Sequence, residues 1–410
     1  MVDERSGTIG GRPSHLSTSS VQALVMGLLV AFVGFGSSFA VVLQGLKAVG
    51  ASDAEAASGL MAVGIAMGLA GIVLSLSTRM PVSCAWSTPG AAMLAGAVAA
   101  GSTGVSFAEA VGGFLACGVL IALAGLLRPL GRAVAAIPAP LANAMLAGVL
   151  LPLALAPFRA IAFDWRLGLP LLAAFVLGSA WNKLLAVPAA LAAFALVVTL
   201  GVDFPPGSLE GVADALVPRP VLVVPTFSAG AMLSIALPLF IVTMASQNIP
   251  GLAVLHLHGY RPRSGPLLAA TGLFSLLAAP FGGHAVNLAA ITATMCAGED
   301  AHPDPARRYW AGVWGGVFYV LFSLAAGAVV TFVTLAPAVL IEAVAGLALF
   351  GAFTGAATAA FERPEARLAA ATTFLATASG MTLLGISGAF WGLVMGGLVW
   401  GLTVRTRSGT

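Results

Sequence analysis

Charge is what this 410-residue chain has least of: Asp, Glu, Lys and Arg together make up 8% of it. A soluble globular chain carries about 25% charged residues. Fifteen acids and eighteen bases cannot coat a water-soluble particle of this size, which excludes a cytosolic enzyme and a disordered protein. Basic runs are lacking as well. The net charge is only +3, and the two Lys and sixteen Arg are scattered singly or in pairs. The isoelectric point near 9.0 therefore does not signal a nucleic-acid binder. Cysteine is scarce too. Cys84, Cys117 and Cys296 lie in apolar surroundings without CxxC spacing, so they read as packing residues rather than a disulfide framework or a zinc site. A P-loop, a zincin pattern and a serine-triad arrangement are all missing. That argues against an ATP-driven pump and against a membrane enzyme. No metal and no cofactor is expected.

What is abundant is apolar sequence: 59% of the residues are hydrophobic and the mean hydropathy is +1.02. This is the composition of an all-α polytopic membrane protein. A spanning helix needs about 20 apolar residues. Cutting the chain at charges and Pro/Gly clusters predicts fourteen spans, near 21–46, 56–77, 82–100, 107–127, 139–157, 165–181, 184–200, 229–249, 265–279, 281–297, 309–334, 337–359, 367–384 and 387–404. The first is longer than the about 7–15 apolar residues of a signal peptide, so cleavage is not expected. The polar stretch 201–228, with Asp203, Glu210 and Asp214, divides the spans into two sets of seven.

Charge bias checks the count. With both termini cytoplasmic, fourteen bases fall inside, among them Arg79, Arg128, Arg132, Lys183, Arg307 and Arg308, against Lys47, Arg159, Arg166 and Arg219 outside. That is the positive-inside distribution. A set of seven inserts its second copy upside down, and such inverted repeats build many secondary transporters. Pro81 and Pro280 open the third and tenth spans 199 residues apart, and Ala144 to Gly148 precedes Glu342 to Gly346 by 198.

The third and tenth spans are short and interrupted. They read Pro81-Val82-Ser83-Cys84-Ala85-Trp86-Ser87-Thr88-Pro89-Gly90 and Pro280-Phe281-Gly282-Gly283-His284-Ala285-Val286-Asn287. Each predicts an extended piece of backbone feeding a half-helix whose N-terminal amides suit an anion. Polar groups within spans are costly and informative. Ser37 and Ser38 lie in the first span, Ser246-Gln247-Asn248 in the eighth, His284 in the tenth and Glu342 in the twelfth. Each also has a plain structural reading. Ser38 would bond a carbonyl one turn back, the amides would join helices, and His284 would be a packed neutral ring.

The run Leu237 to Gly251, LPLFIVTMASQNIPG, and the run Phe281 to Ala293, FGGHAVNLAAITA, resemble the benzoate/proton symporter family of bacterial inner membranes. The similarity extends over essentially the whole chain beyond residue 20. It implies the fold of uracil and sulfate transporters, with a core domain at 21–128 (spans 1–4) and 229–335 (spans 8–11). The gate domain would be 129–228 (spans 5–7 and an outer loop) and 336–404 (spans 12–14), with cytoplasmic tails at 1–20 and 405–410. Compared with the nucleobase branch, Gln247 and His284 stand where that branch typically carries carboxylates. A site for a carboxylate anion wants donors and no nearby negative charge. The expected function is proton-coupled import of benzoate or a close aromatic carboxylate. Expected substrate-binding residues are Ser38, Phe39, Trp86, Ser87, Thr88, Gln247, Asn248, Gly283, His284 and Asn287, with His284 or Glu342 coupling the proton. The partners are the aromatic acid, a proton and lipid; a homodimer is compatible. Another anion or a nucleobase on the same fold, and an anion channel, are the alternatives.

Overall fold

The computed structural model describes residues 15–36, 38–99, 105–127, 129, 136–182, 185–201, 208–383 and 386–403. Residues 1–14 and 405–410 of the expected tails lie outside the described residues. So do Ser37 and the inner-loop bases Arg128, Arg132 and Lys183.

The chain is mostly helical. In order, the helices are α1 (His15–Gly36), α2 (Phe39–Ala48), α3 (Asp53–Thr78), α4 (Thr88–Ala99), α5 (Phe107–Leu126), α6 (Ala139–Ala154), α7 (Ala156–Phe163), α8 (Trp165–Trp181), α9 (Ala186–Gly201) and α10 (Ser208–Asp214). They continue with α11 (Ala229–Leu257), α12 (Ser264–Ala278), α13 (Ile291–Ala297), α14 (Tyr309–Leu324), α15 (Ala326–Thr334), α16 (Ala338–Phe361), α17 (Arg367–Ala378) and α18 (Gly388–Thr403). Among the described residues seven helices are long and apolar enough to cross a membrane, eight if α14 and α15, bent by 53°, form one span. α8, α9 and α18 are apolar but shorter.

Local chemistry places the helix ends. Ser52 and Ser106 open α3 and α5 through reciprocal capping boxes with Glu55 and Glu109, each satisfying two orphan amides. Pro138 and Pro337 sit immediately before α6 and α16, and 337 − 138 gives the 199-residue offset of Pro81 and Pro280. Buried packing runs between α3 and α14, α5 and α12, α6 and α16, and α17 and α18. Small residues permit the close crossings. A Cβ on Gly68 would stand 2.6 Å from the Gly316 carbonyl oxygen, and one on Gly316 would stand 2.4 Å from that of Gly68, so α3 and α14 touch backbone to backbone.

Departures from the expected spans have physical causes. The first span breaks at Ser38, between α1 and α2. The eighth continues past Pro250 to Leu257. Its π turns at Met232–Ala236 and Met244–Asn248 each lie just before a proline, Pro238 and Pro250. A widened turn accommodates a residue that lacks an amide and crowds the carbonyl four back. The thirteenth gives way after Ala378, and beyond it Thr382–Leu383 pairs antiparallel with Ile386–Ser387.

Candidate functional site

Two short strands occupy the interrupted spans: β1 (Cys84–Trp86) and β2 (Val286–Leu288). They pair antiparallel, Cys84 with Leu288, Ala85 with Asn287 and Trp86 with Val286. Flanking bonds extend the ladder, Ser87 N–H to the Ala285 carbonyl and Ala289 N–H to the Ser83 carbonyl, both 2.9 Å. Buried backbone must pair somewhere, and here each interrupted span supplies the other's partners. Pro89 sits in the first turn of α4, where a missing amide costs nothing. Gly282, at φ 87°, makes the turn that ends the approach to β2. Hydroxyl pairs brace the ladder, Ser83 with Thr292 at 2.8 Å and Ser87 with Thr243 at 2.7 Å.

Beside the ladder lies a cavity of about 90 Å³. Its walls include Ser38, Trp86, Thr88 and Gln247 from the expected set, together with Gly34, Met67, Thr292 and Tyr319. Thr88 and Ile291 open α4 and α13 and both line it. Both half-helices therefore turn their N-terminal ends, where amides have no intrahelical acceptor, toward this wall. None of the described lining residues carries a carboxylate or a cation.

The polar side chains here differ in what they are free to do. Trp86 Nε1 donates to Ser38 Oγ at 2.8 Å, and Ser38 Oγ donates to the Gly34 carbonyl at 3.2 Å. Both are therefore committed to structure. Thr292 is tied to Ser83. Gln247 sits half-buried in the second π turn, and its side chain makes no hydrogen bond among the described residues. Its carboxamide is the free polar group of the wall, and π turns recur at functional sites because they re-aim a side chain.

The remaining expected residues lie behind the wall or elsewhere. Asn248, fully buried, accepts from the Leu288 amide at 2.9 Å and so holds β2 in place. Ser87 accepts from the Gly90 amide at 3.2 Å. Gly283 packs against Ala278 and Val63. His284 is fully buried beside Phe114, and its Nε2 donates to the Ser87 carbonyl at 3.1 Å. That bond assigns the Nε2–H tautomer and leaves Nδ1 unpartnered. Both polar atoms of Asn287 are likewise buried without a partner. Phe39 faces a separate apolar cavity of about 480 Å³ with Phe35 and Phe194. Glu342 is half-buried in the second turn of α16, away from the wall.

Sequence reasoning missed Gly34, Met67, Thr292 and Tyr319. A signal existed for Tyr319, since a phenol within a span needs a partner. Its hydroxyl donates to the Val30 carbonyl at 3.2 Å, and a Cβ on Gly34 would stand 1.9 Å from that hydroxyl oxygen.

A helical membrane bundle in which two interrupted spans pair beside a small uncharged cavity fits a membrane transporter. Sequence comparison gives the family. A family model described as Benzoate membrane transport protein matches residues 17–402, and the chain belongs to that family, one of membrane transporters and not of enzymes. It is 39% identical over 378 residues to the Inner membrane protein YdcO of Escherichia coli (strain K12), covering 92% of this chain and 94% of that one. It is 33% identical over 390 residues to the Benzoate membrane transport protein of Acinetobacter baylyi (strain ATCC 33305 / BD413 / ADP1), covering 95% and 97%. Solved structures share the fold. The transmembrane domain of the cyanobacterium bicarbonate transporter BicA aligns with a TM-score of 0.57 at 16% identity, over 94% of this chain and 98% of that one. The murine anion transporter Slc26a9 in its inward-facing state aligns with 0.58 at 13%, over 98% and 74%.

Proposed function

We propose that the chain is a proton-coupled importer of benzoate or a closely related aromatic carboxylate in the bacterial inner membrane. The observation that carries this reading is the free Gln247 carboxamide on an uncharged wall that also holds Trp86 and the first residues of α4 and α13. A carboxylate accepts hydrogen bonds and is repelled by acids. Neutral donors with no acid nearby suit it, and the Trp86 ring suits an aromatic body. The relative from Acinetobacter baylyi, a Benzoate membrane transport protein by name, supports the same substrate.

The proposed topology is fourteen spans in two inverted sets of seven, with both termini cytoplasmic. The antiparallel pairing of β1 with β2 and the 199-residue offset shared by Pro81/Pro280 and Pro138/Pro337 support a two-fold relation between the halves. The core domain, 21–128 with 229–335, would rock against the gate domain, 129–228 with 336–404. The packing of α3 on α14 and α5 on α12, and of α6 on α16, fits that division. His284, joined to the wall through the Ser87 carbonyl next to Thr88, is the proposed proton carrier, in preference to Glu342.

Competition tests the substrate class. Benzoate binding to the purified chain should be displaced by ring-substituted benzoates and resist benzamide, uracil and sulfate. Displacement by uracil or sulfate in preference to benzoates would refute the assignment.

A further inference from the structure

A third cavity, of about 720 Å³, opens where α3 ends and α14 begins, on the side the charge bias makes cytoplasmic. Arg79, the residue after α3, has φ 56° and ψ 27°, and is the one non-glycine residue with positive φ among the described residues. Glycine adopts this conformation freely and an L side chain resists it. A strained backbone kept at a cavity rim points to use of its side chain. The Arg79 guanidinium lies over the Tyr309 ring, 4.9 Å from its centroid, and donates to the Tyr309 hydroxyl.

Two arginines, Arg79 and Arg307, line this cavity with His302, whose Nδ1 accepts from the Asp304 amide at 3.0 Å, and the single lining acid, Asp304, stands 3.9 Å from Arg307. Beneath them Arg308 is more than nine-tenths buried and donates to the carbonyls of His302 and Ala297 at 2.8 Å and of Pro303 at 3.5 Å. Those carbonyls are neutral, and no carboxylate pairs with Arg308 or Arg79 among the described residues. The remaining wall is Ala23, Ala306 and three aromatic residues, Tyr309, Trp310 and Trp314.

We infer that this cavity is a second anion site, an inner vestibule that takes an aromatic carboxylate, with the oxyanion on Arg79 and Arg307 and the ring against Trp310 and Trp314. Arginine matches a carboxylate with paired donors, and the indoles provide flat apolar surface at the same mouth. The assignment rests on the substrate class proposed above. Its place in the fold suits a staging point between the transport cavity and the inner aqueous phase. α14 carries Tyr309 at the vestibule and Tyr319 at the transport cavity, ten residues or about 15 Å apart along the helix. α13, about 10 Å long, runs between the same two regions. Its first residues line the transport cavity and its last carbonyl, Ala297, is held by Arg308.

Calorimetric titration of benzoate into the full chain in phosphatidylcholine nanodiscs tests this. Two sites are expected. Arg79→Gly, which keeps the backbone conformation, and Arg307→Gln should each weaken one site about 10- to 100-fold, the worth of a charge-assisted hydrogen bond. The other site should be left unchanged. Gln247→Ala should do the reverse. A single site sensitive to Gln247→Ala and indifferent to Arg79→Gly would overturn the vestibule and leave the transport reading standing. Binding sensitive to Arg79→Gly and indifferent to Gln247→Ala would keep the vestibule and overturn the transport site. Repeating the titration with phosphatidylglycerol in the nanodisc separates the two sources of an oxyanion. Retention of the Arg79-dependent site supports the carboxylate, and its loss would reassign the cavity to a lipid phosphate.

Discussion

The indole Nε1 of Trp86 donates a 2.8 Å hydrogen bond to Ser38 Oγ, tying the break between α1 and α2 to the strand of the third span. Both residues are buried and both line the small cavity. The Phe35 ring stands edge-on to the indole at 5.2 Å, so this bond fixes the aromatic wall that a substrate ring would meet.

Ser38→Ala should therefore leave a buried indole N–H unsatisfied, at a cost of about 1–3 kcal/mol. Thermal unfolding in detergent should register the loss, and Trp86→Phe, which leaves a cavity of its own, should cost less in the Ser38→Ala background than in the parent. Equal destabilisation in both backgrounds would show that the pair is not coupled.

Gln247→Glu would set a negative charge beside a bound carboxylate in low dielectric. Benzoate affinity should fall by several kcal/mol when both groups are ionised. Gln247→Ala should lose about 1–3 kcal/mol for the missing donor. Equilibrium binding reads both, and parental affinity in the Glu variant would remove Gln247 from the site.

Gly34→Ala would drive a methyl group into the Tyr319 hydroxyl, 1.9 Å from the ideal Cβ position. Overpacking of this kind costs about 1–3 kcal/mol. Tyr319→Phe should relieve part of the penalty, since the next contact, with the ring carbon, is 2.9 Å. A double-mutant cycle on unfolding midpoints measures the coupling.

Proton and benzoate must each tighten the other's binding by the same factor if transport is symport. Affinity of the parent should then rise as pH falls. His284→Gln, which removes the ring whose Nδ1 is free to gain a proton, should flatten that dependence even where affinity survives. Glu342→Gln should leave it largely intact. The opposite pattern would move the coupling role to Glu342.

Much of the fold was legible because bilayer physics writes itself into composition. The interruptions expected after Pro81 and Pro280 stand where the chain leaves the helix for β1 and β2. The break at Ser38 was not legible, since two serines in an apolar run also suit an unbroken helix; the partner that makes the difference, Trp86, is 48 residues away. The site was legible in part for the same reason. Motif reasoning named Gln247 and Trp86, and both line the small cavity. It could not separate Gln247, free at the cavity, from Asn248, spent on the Leu288 amide, because adjacent residues on a π turn point differently only once the turn is known. Met67 and Tyr319 come from α3 and α14, ordinary spans by pattern that the Gly68–Gly316 crossing brings together.

Uptake of radiolabelled benzoate into proteoliposomes, with and without an inward proton gradient, tests the central claim most directly. Protein-free liposomes are the control, because neutral benzoic acid crosses lipid unaided. The account predicts protein-dependent accumulation above equilibrium when the outside is acidic, abolished by a protonophore. Protein-dependent flux that only equilibrates, whatever the gradient, would identify a channel and contradict it.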